Sequence, residues 1–173
     1  MSLLKIARLG HPVLLRRAEP VADPMAPEIR RLVMDMGATM LDAQGLGLAA
    51  PQVHESLRIF VWRQGKDGVA ALINPEITLL DPADEVGFEG CLSIPGLRGA
   101  VRRSRRVGFR GFSLDGRVVE GDAEGLLARV MQHECDHLDG VLYLMRMHDL
   151  SLLGFTEELA QHPPTPAETE TIA

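Results

Sequence analysis

The sequence predicts an α+β fold in which mainly antiparallel β-sheets pack around a central helix, with an N-terminal helix and a short C-terminal helix. Three observations carry the prediction. Two long segments repeat apolar residues at helical spacing. Several short strand-like runs lie between them. The chain has 173 residues and is 46% hydrophobic, enough for one sizeable core. Aromatics make up only 4%, so Leu, Val, Ile, Ala and Met must fill that core.

Residues 1–24 read as irregular, with a turn at Gly10-His11-Pro12 and breaks at Pro20 and Pro24. A helix follows from about Pro27: proline suits a first helical turn, and Ile29, Leu32, Val33, Met36, Met40 and Leu41 recur at helical spacing. Gly45-Leu46-Gly47-Leu48-Ala49-Ala50-Pro51-Gln52 ends it as a glycine-rich loop. Residues 58–62 form a strand. Gly65-Lys66-Asp67-Gly68 turns into a second at 69–73, and Asn74-Pro75 breaks the chain before a third at 77–80. Residues 106–112 alternate at period two and lead through Leu114-Asp115-Gly116-Arg117, a hairpin signal, into a strand at 118–120. A second long helix is expected from about Asp122 or Ala123 to Leu138, with Asp122 as N-cap and Gly140 as stop. A short helix should occupy about 149–160. The domain is expected to span residues 1–161, and 162–173 reads as a disordered tail.

The formal net charge is −6, which argues against broad nucleic-acid binding, DNA included. No apolar run reaches the roughly 18 residues that span a bilayer, and Met1 to Gly10 lack a secretory pattern. The plain reading of the two cysteines, Cys91 and Cys135, is one disulfide. A cysteine inside a His-rich helical segment and another in a glycine-rich loop suit a reduced compartment better. The cytoplasm is therefore the expected location, with no membrane partner.

Within the second long helix, His133-Glu134-Cys135-Asp136-His137 reads H-E-x-x-H. Residues four apart lie on one helix face. His133 and His137 can thus aim two imidazole nitrogens at one metal ion, with Glu134 as proton acceptor for metal-bound water. Leu126 and Val130 precede His133 on that face and would wall a dry pocket. The plain alternative is a surface helix with two solvated histidines. A catalytic ion needs a further protein ligand and an open position. One candidate is Glu157, at the spacing of thermolysin-like proteases but beyond a turn. A third histidine fails, because Tyr143 stands at that position. Cys91 is the third candidate, with Gly90 beside it to let the backbone come close. Cys135 points to the opposite helix face and reads as a packed core thiol.

Three blocks then agree: Gly45-Leu46-Gly47-Leu48-Ala49-Ala50-Pro51-Gln52, Glu89-Gly90-Cys91-Leu92-Ser93 and Gln132-His133-Glu134-Cys135-Asp136-His137. They resemble the signature motifs of peptide deformylases, in order and with similar spacing, over about residues 3–160. Gly10-His11-Pro12, Asn74-Pro75, Ile94-Pro95-Gly96 and Leu138-Asp139-Gly140 also look like the family. The resemblance implies removal of the N-terminal formyl group from formyl-methionine of nascent polypeptides, with release of formate. It implies one Fe(2+) per chain, with Zn(2+), Ni(2+) or Co(2+) as substitutes, held by Cys91, His133 and His137. Glu134 would take a proton from water and pass it to the leaving amine. The Gln52 amide and the Leu92 backbone N–H would steady the developing oxyanion, one such donor being worth about 3–4 kcal/mol. Leu46 and Gly47 offer backbone groups to an extended N-formylmethionyl peptide. Leu126, Val130 and the stem of Arg98 would line a pocket for the methionine side chain, and Glu89 would hold the loop or order Arg98.

Arg98, Arg102, Arg103, Arg105, Arg106 and Arg110 cluster in this acidic chain. One reading is a transient ribosome contact through RNA. The favoured one is the solvated face of an edge strand guarded by charge. Two rivals to the deformylase reading stand: a metallopeptidase using Glu157, and a non-enzymatic binder of peptide N-termini. The intact Gln52, Cys91, Glu134 and both histidines argue against the second.

Overall fold

The computed structural model describes residues 2–66, 68–81 and 84–164 of the chain. In chain order its main elements are α1 (Pro27–Asp42), β1 (Gly47–Ala49), β2 (Ile59–Gln64), β3 (Gly68–Leu79), β4 (Asp84–Cys91), β5 (Ile94–Ser104), β6 (Arg106–Phe112), β7 (Val118–Glu124), α2 (Leu126–Leu138), β8 (Leu153–Phe155) and α3 (Thr156–Gln161). One strand explains the layering. Successive side chains of β2 point to opposite faces, yet Ile59, Phe60, Val61 and Trp62 are all buried. Ile59 and Val61 join Ile29, Val33, Met36 and Met40 of α1. Phe60 and Trp62 join Ala128, Met131 and Leu138 of α2. The strand is buried on both faces, so it reads as a continuous apolar run.

The larger sheet has five strands in the order β1-β2-β3-β6-β7, and the smaller has three in the order β4-β5-β8. All their pairings are antiparallel. A third cluster, with Leu14, Ile94, Val101, Leu142 and Tyr143, fills the space beside the smaller sheet. The expected α+β class, the three helices and the central place of α2 therefore hold.

Several boundaries differ. The glycine-rich stretch from Gly45 is not all loop: Gly47–Ala49 pairs with β2 as the edge strand of the sheet, and Ala50–Val53 is a 3-10 turn. The breaking dipeptide at Asn74 leaves one strand, β3, with a bulge between Ile73 and Glu76. Asn74 takes a left-handed φ of 51° there, and its side chain exchanges two hydrogen bonds with the backbone of Val21. The second helix starts at Leu126, and Asp122 is not its N-cap. Asp122, Ala123 and Glu124 are committed to β7, where Ala123 faces Val107. Gly125 makes the turn with a φ of 61°, a conformation that suits a residue without Cβ. The expected helix at 149–160 divides into a 3-10 turn, β8 and the six-residue α3. Asp67 of the expected turn and residues 165–173 of the expected tail lie outside the described residues.

The N-terminal segment straps two of these parts together. Ala7 N–H donates to the Gln52 carbonyl at 2.7 Å, and Leu9 N–H donates to the Ser93 carbonyl at 2.9 Å. Leu14, in the 3-10 turn Pro12–Leu15, is sealed in the core.

Candidate metal centre and active site

Helix α2 presents Val130, His133, Glu134 and His137 at spacings of three and four, so they share one face. Cys91 reaches the same point from the end of β4, not from a free loop. Its Sγ lies 3.2 Å from His137 Nε2. The donor atoms of Cys91, His133 and His137 all lie within 4.8 Å of one another. Thiolate and imidazole donors on a tetrahedral ion stand about 3.5 Å apart, given bonds of about 2.0–2.3 Å. The donor types therefore suit a metal ion, and the three atoms lie close enough to converge on one with a small adjustment of the side chains.

Glu89 orients the first histidine. Its Oε2 sits 2.8 Å from His133 Nδ1, which leaves Nε2 for the centre. Burial pulls the His133 pKa down, but bonds to Cys91 and Glu89 and the charge of Glu134 outweigh it and hold it well above the ordinary value. His137 goes the other way: burial, then the charges of His133 and Arg103, push it well below the ordinary value. Its Nδ1 has no partner among the described residues.

Glu134 is buried, and its Oε2 also lacks a partner among the described residues. Burial pushes this carboxyl up to about 7, against the pull of His133. A base near that value is suited to moving protons at neutral pH. Gly47 is glycine for the same group, because a Cβ there would overlap Glu134 Oε1.

Gln52 is fixed by its other end. Its Oε1 accepts from Ala49 N–H at 2.8 Å, so Nε2 must point inward. From there it donates to Ser93 Oγ at 3.2 Å and lies 3.4 Å from Cys91 Sγ. Leu92 occupies the turn between β4 and β5. A cavity of about 470 Å³ opens over the group, lined in part by Leu46, Gly47, Gly90, Arg98, Leu126 and Val130. Leu126 stands at the mouth, 64% exposed.

The structure thus brings the sequence-derived residues to one place, with two corrections. Glu89 does not order Arg98. It is buried, and its oxygens take bonds from Arg103, Arg129 and His133, while Arg98 donates to the Phe88 carbonyl. Nor is the arginine cluster one solvated face. Arg103 is 6% exposed and joins Glu89 to Asp136. Arg105, Arg106 and Arg110 pair in solvent with Glu124, Asp122 and Glu120. Sequence reasoning missed Arg129 and Asp136 as supports; both lie on α2 within four residues of His133, where a helical net would have placed them beside it. Glu157 is exposed on α3 and outside the donor group, so the rival ligand set has no support. Both cysteines are free, and burial raises the Cys135 thiol to about 12, as a packed thiol requires.

Three donors that could hold a metal ion, a buried carboxylate beside them and an adjoining cavity are the parts of a hydrolase of the metal-assisted kind. The sequence profile of polypeptide deformylases matches residues 3–152. Peptide deformylase 1 of Bordetella pertussis is 47% identical over 163 residues, which cover 89% of this chain and 93% of that one. The crystal structure of peptide deformylase from Thermotoga maritima superposes with a TM-score of 0.82 at 42% identity, covering 86% of this chain and all of that one, 100%. A class I type b peptide deformylase from Acinetobacter baumannii, bound to Met-ala-ser, gives a TM-score of 0.79 at 35% identity, with 85% and 100% covered. The chain belongs to the polypeptide deformylase family, hydrolases that remove the formyl group from nascent peptides.

Proposed function

We propose that the chain deformylates N-formylmethionyl peptides, with Cys91, His133 and His137 holding one metal ion and Glu134 moving the protons. The observation that supports this most is Glu134 Oε2, buried beside the three-donor group with no partner among the described residues. A thiolate and two imidazoles suit several divalent ions. Fe(2+) is the resident proposed from the family resemblance, with Zn(2+), Ni(2+) and Co(2+) as substitutes. When bound, the ion supplies a Lewis acid that lets water lose a proton near neutral pH.

The chain's own residues do the rest. Glu134 accepts the proton of the attacking water and returns it to the amine nitrogen as the C–N bond breaks, which releases formate. Gln52 Nε2 and the Leu92 N–H donate to the formyl oxygen as it gains charge. The peptide runs along the free edge of β1 from Gly47, beside Leu46, whose carbonyl is taken by the Arg63 N–H, as an added strand. Its methionine side chain enters between Leu126, Val130 and the Arg98 stem. A relative that holds Met-ala-ser is consistent with this direction. The residues 1–161 are proposed as the catalytic domain. A cytoplasmic setting suits two free cysteines, and no helix among the described residues is long and apolar enough to cross a membrane. The acid partners of Arg105, Arg106 and Arg110 favour a solvated face over a ribosome contact.

The test is formate release from formyl-Met peptides by anaerobically purified protein. Glu134→Ala should retain its metal and lose about 10²- to 10⁴-fold in kcat. Near-normal turnover by that variant overturns the reading.

A further inference from the structure

Asp136 carries an ion pair that reaches solvent. The residue itself is 7% exposed, inside α2. Arg146, ten residues on and half in solvent, grips it with two prongs: Nη2 to Oδ1 at 2.7 Å and Nε to Oδ2 at 3.1 Å. On its inner side Asp136 Oδ2 accepts from Arg103 Nη1 at 2.6 Å. Arg103 turns two further N–H groups to Glu89, Nε to Oε1 at 2.9 Å and Nη2 to Oε2 at 3.0 Å. Glu89 ends on His133 Nδ1. The result is an unbroken line of charged hydrogen bonds from the surface to a metal-ligand ring.

We infer that Arg146 is a positioning residue for His133, acting through Asp136, Arg103 and Glu89; the inference rests on the ligand set proposed above. The geometry gives the reason. A guanidinium is a rigid fork, and Arg103 divides its fork between two carboxylates. With Arg146 in place, Asp136 has both oxygens engaged and draws on Arg103 through one N–H. Without it, Asp136 is a buried carboxylate with Arg103 as its remaining arginine. Arg103 must then swing toward Asp136, at the expense of the two bonds that hold Glu89 against His133. Arg129 still donates to Glu89 Oε1, so the line is loosened and not severed. Arg146 does not line the cavity, so its effect reaches substrate chemistry only through the ring. Its half-exposed side chain also makes it the one link in the line whose removal leaves no hole in the core.

The measurement is the rate of metal loss to excess chelator, on folded enzyme far below its Tm, alongside kcat and KM. Arg146→Ala should lose metal about 10-fold faster than wild type, the low end of what an outer partner is worth. Its kcat should fall with KM unchanged. Arg146→Lys, which keeps charge without the fork, should fall between. Arg117→Ala, which removes an exposed pair with Asp115, should match wild type. A wild-type rate for Arg146→Ala overturns the inference, even if Tm drops. If Arg146→Ala does not fold, Arg146→Gln takes its place with the same two outcomes. Cys91→Ala separates the two readings: retention of metal there refutes the ligand set, whereas its loss beside a normal Arg146→Ala refutes only the positioning role.

Discussion

Arg103 and Arg106 stand three residues apart, on consecutive strands of different sheets, and share a side-chain type, yet one is 6% exposed and the other pairs in open solvent. Arg103 belongs to a sealed network with Glu89, Asp136 and Arg129 behind the metal-ligand ring. Arg106 belongs to a ladder with Arg105 and Arg110, across β6 and the edge strand β7. The difference shows that charge in this chain has two jobs, set by burial alone. Away from water, an ion pair fixes geometry, because an unpaired member has nowhere to go. In water the same pair is screened and contributes little.

The largest expected effect comes from breaking the sealed side. Arg103→Ala leaves Glu89 and Asp136 short of their shared cation inside the protein. Stability should drop by about 3–5 kcal/mol in a denaturant titration, and a loss under 1 kcal/mol would erase the contrast. Glu89→Gln is milder, since it keeps the shape. It should lower metal affinity about 10- to 100-fold, read by competition with a chelator.

Glu89 also makes the contrast visible in pH. Burial tends to raise its pKa, but bonds from His133 and Arg103 outweigh that and hold the carboxyl far below the ordinary range. A lowered folded value stabilises above the unfolded pKa and is lost as pH falls through the folded one. Acid unfolding of wild type should therefore steepen once pH falls below the ordinary carboxylate value of 4.5, and Glu89→Gln should flatten that limb. Equal slopes would mean that the ion network contributes nothing to acid resistance. The smallest effect belongs to the ladder. Neutralising Arg105, Arg106 and Arg110 to Gln should cost about 0.2–1 kcal/mol per pair, vanish in high salt and leave kcat unchanged.

The same contrast explains what could be read in advance. His133 and His137 are four residues apart, so a helix alone brings them together, and Cys91 and Gln52 were found by residue type and motif. Arg103 was misplaced because its partner Asp136 is 33 residues away, and a run of arginines looks solvated from within. Strands β4 and β5 were not among the expected ones; glycines stand there where neighbours press close, Gly87 against Arg129 and Gly99 against Met147. Asp122 looked like a helix cap because capping is a local signal, whereas the pairing of Ala123 with Val107 is not. Local chemistry was legible, and long-range partners were not.

The strap at Ala7 and Leu9 has a consequence for how the enzyme comes into being. Ala7 and Leu9 tie down the Gln52 turn and the Ser93 turn, while the histidines arrive only with α2. Contacts this distant in sequence are slow to form. The site is therefore complete only once the segment at Ala7 and Leu9 and helix α2 have met across the fold.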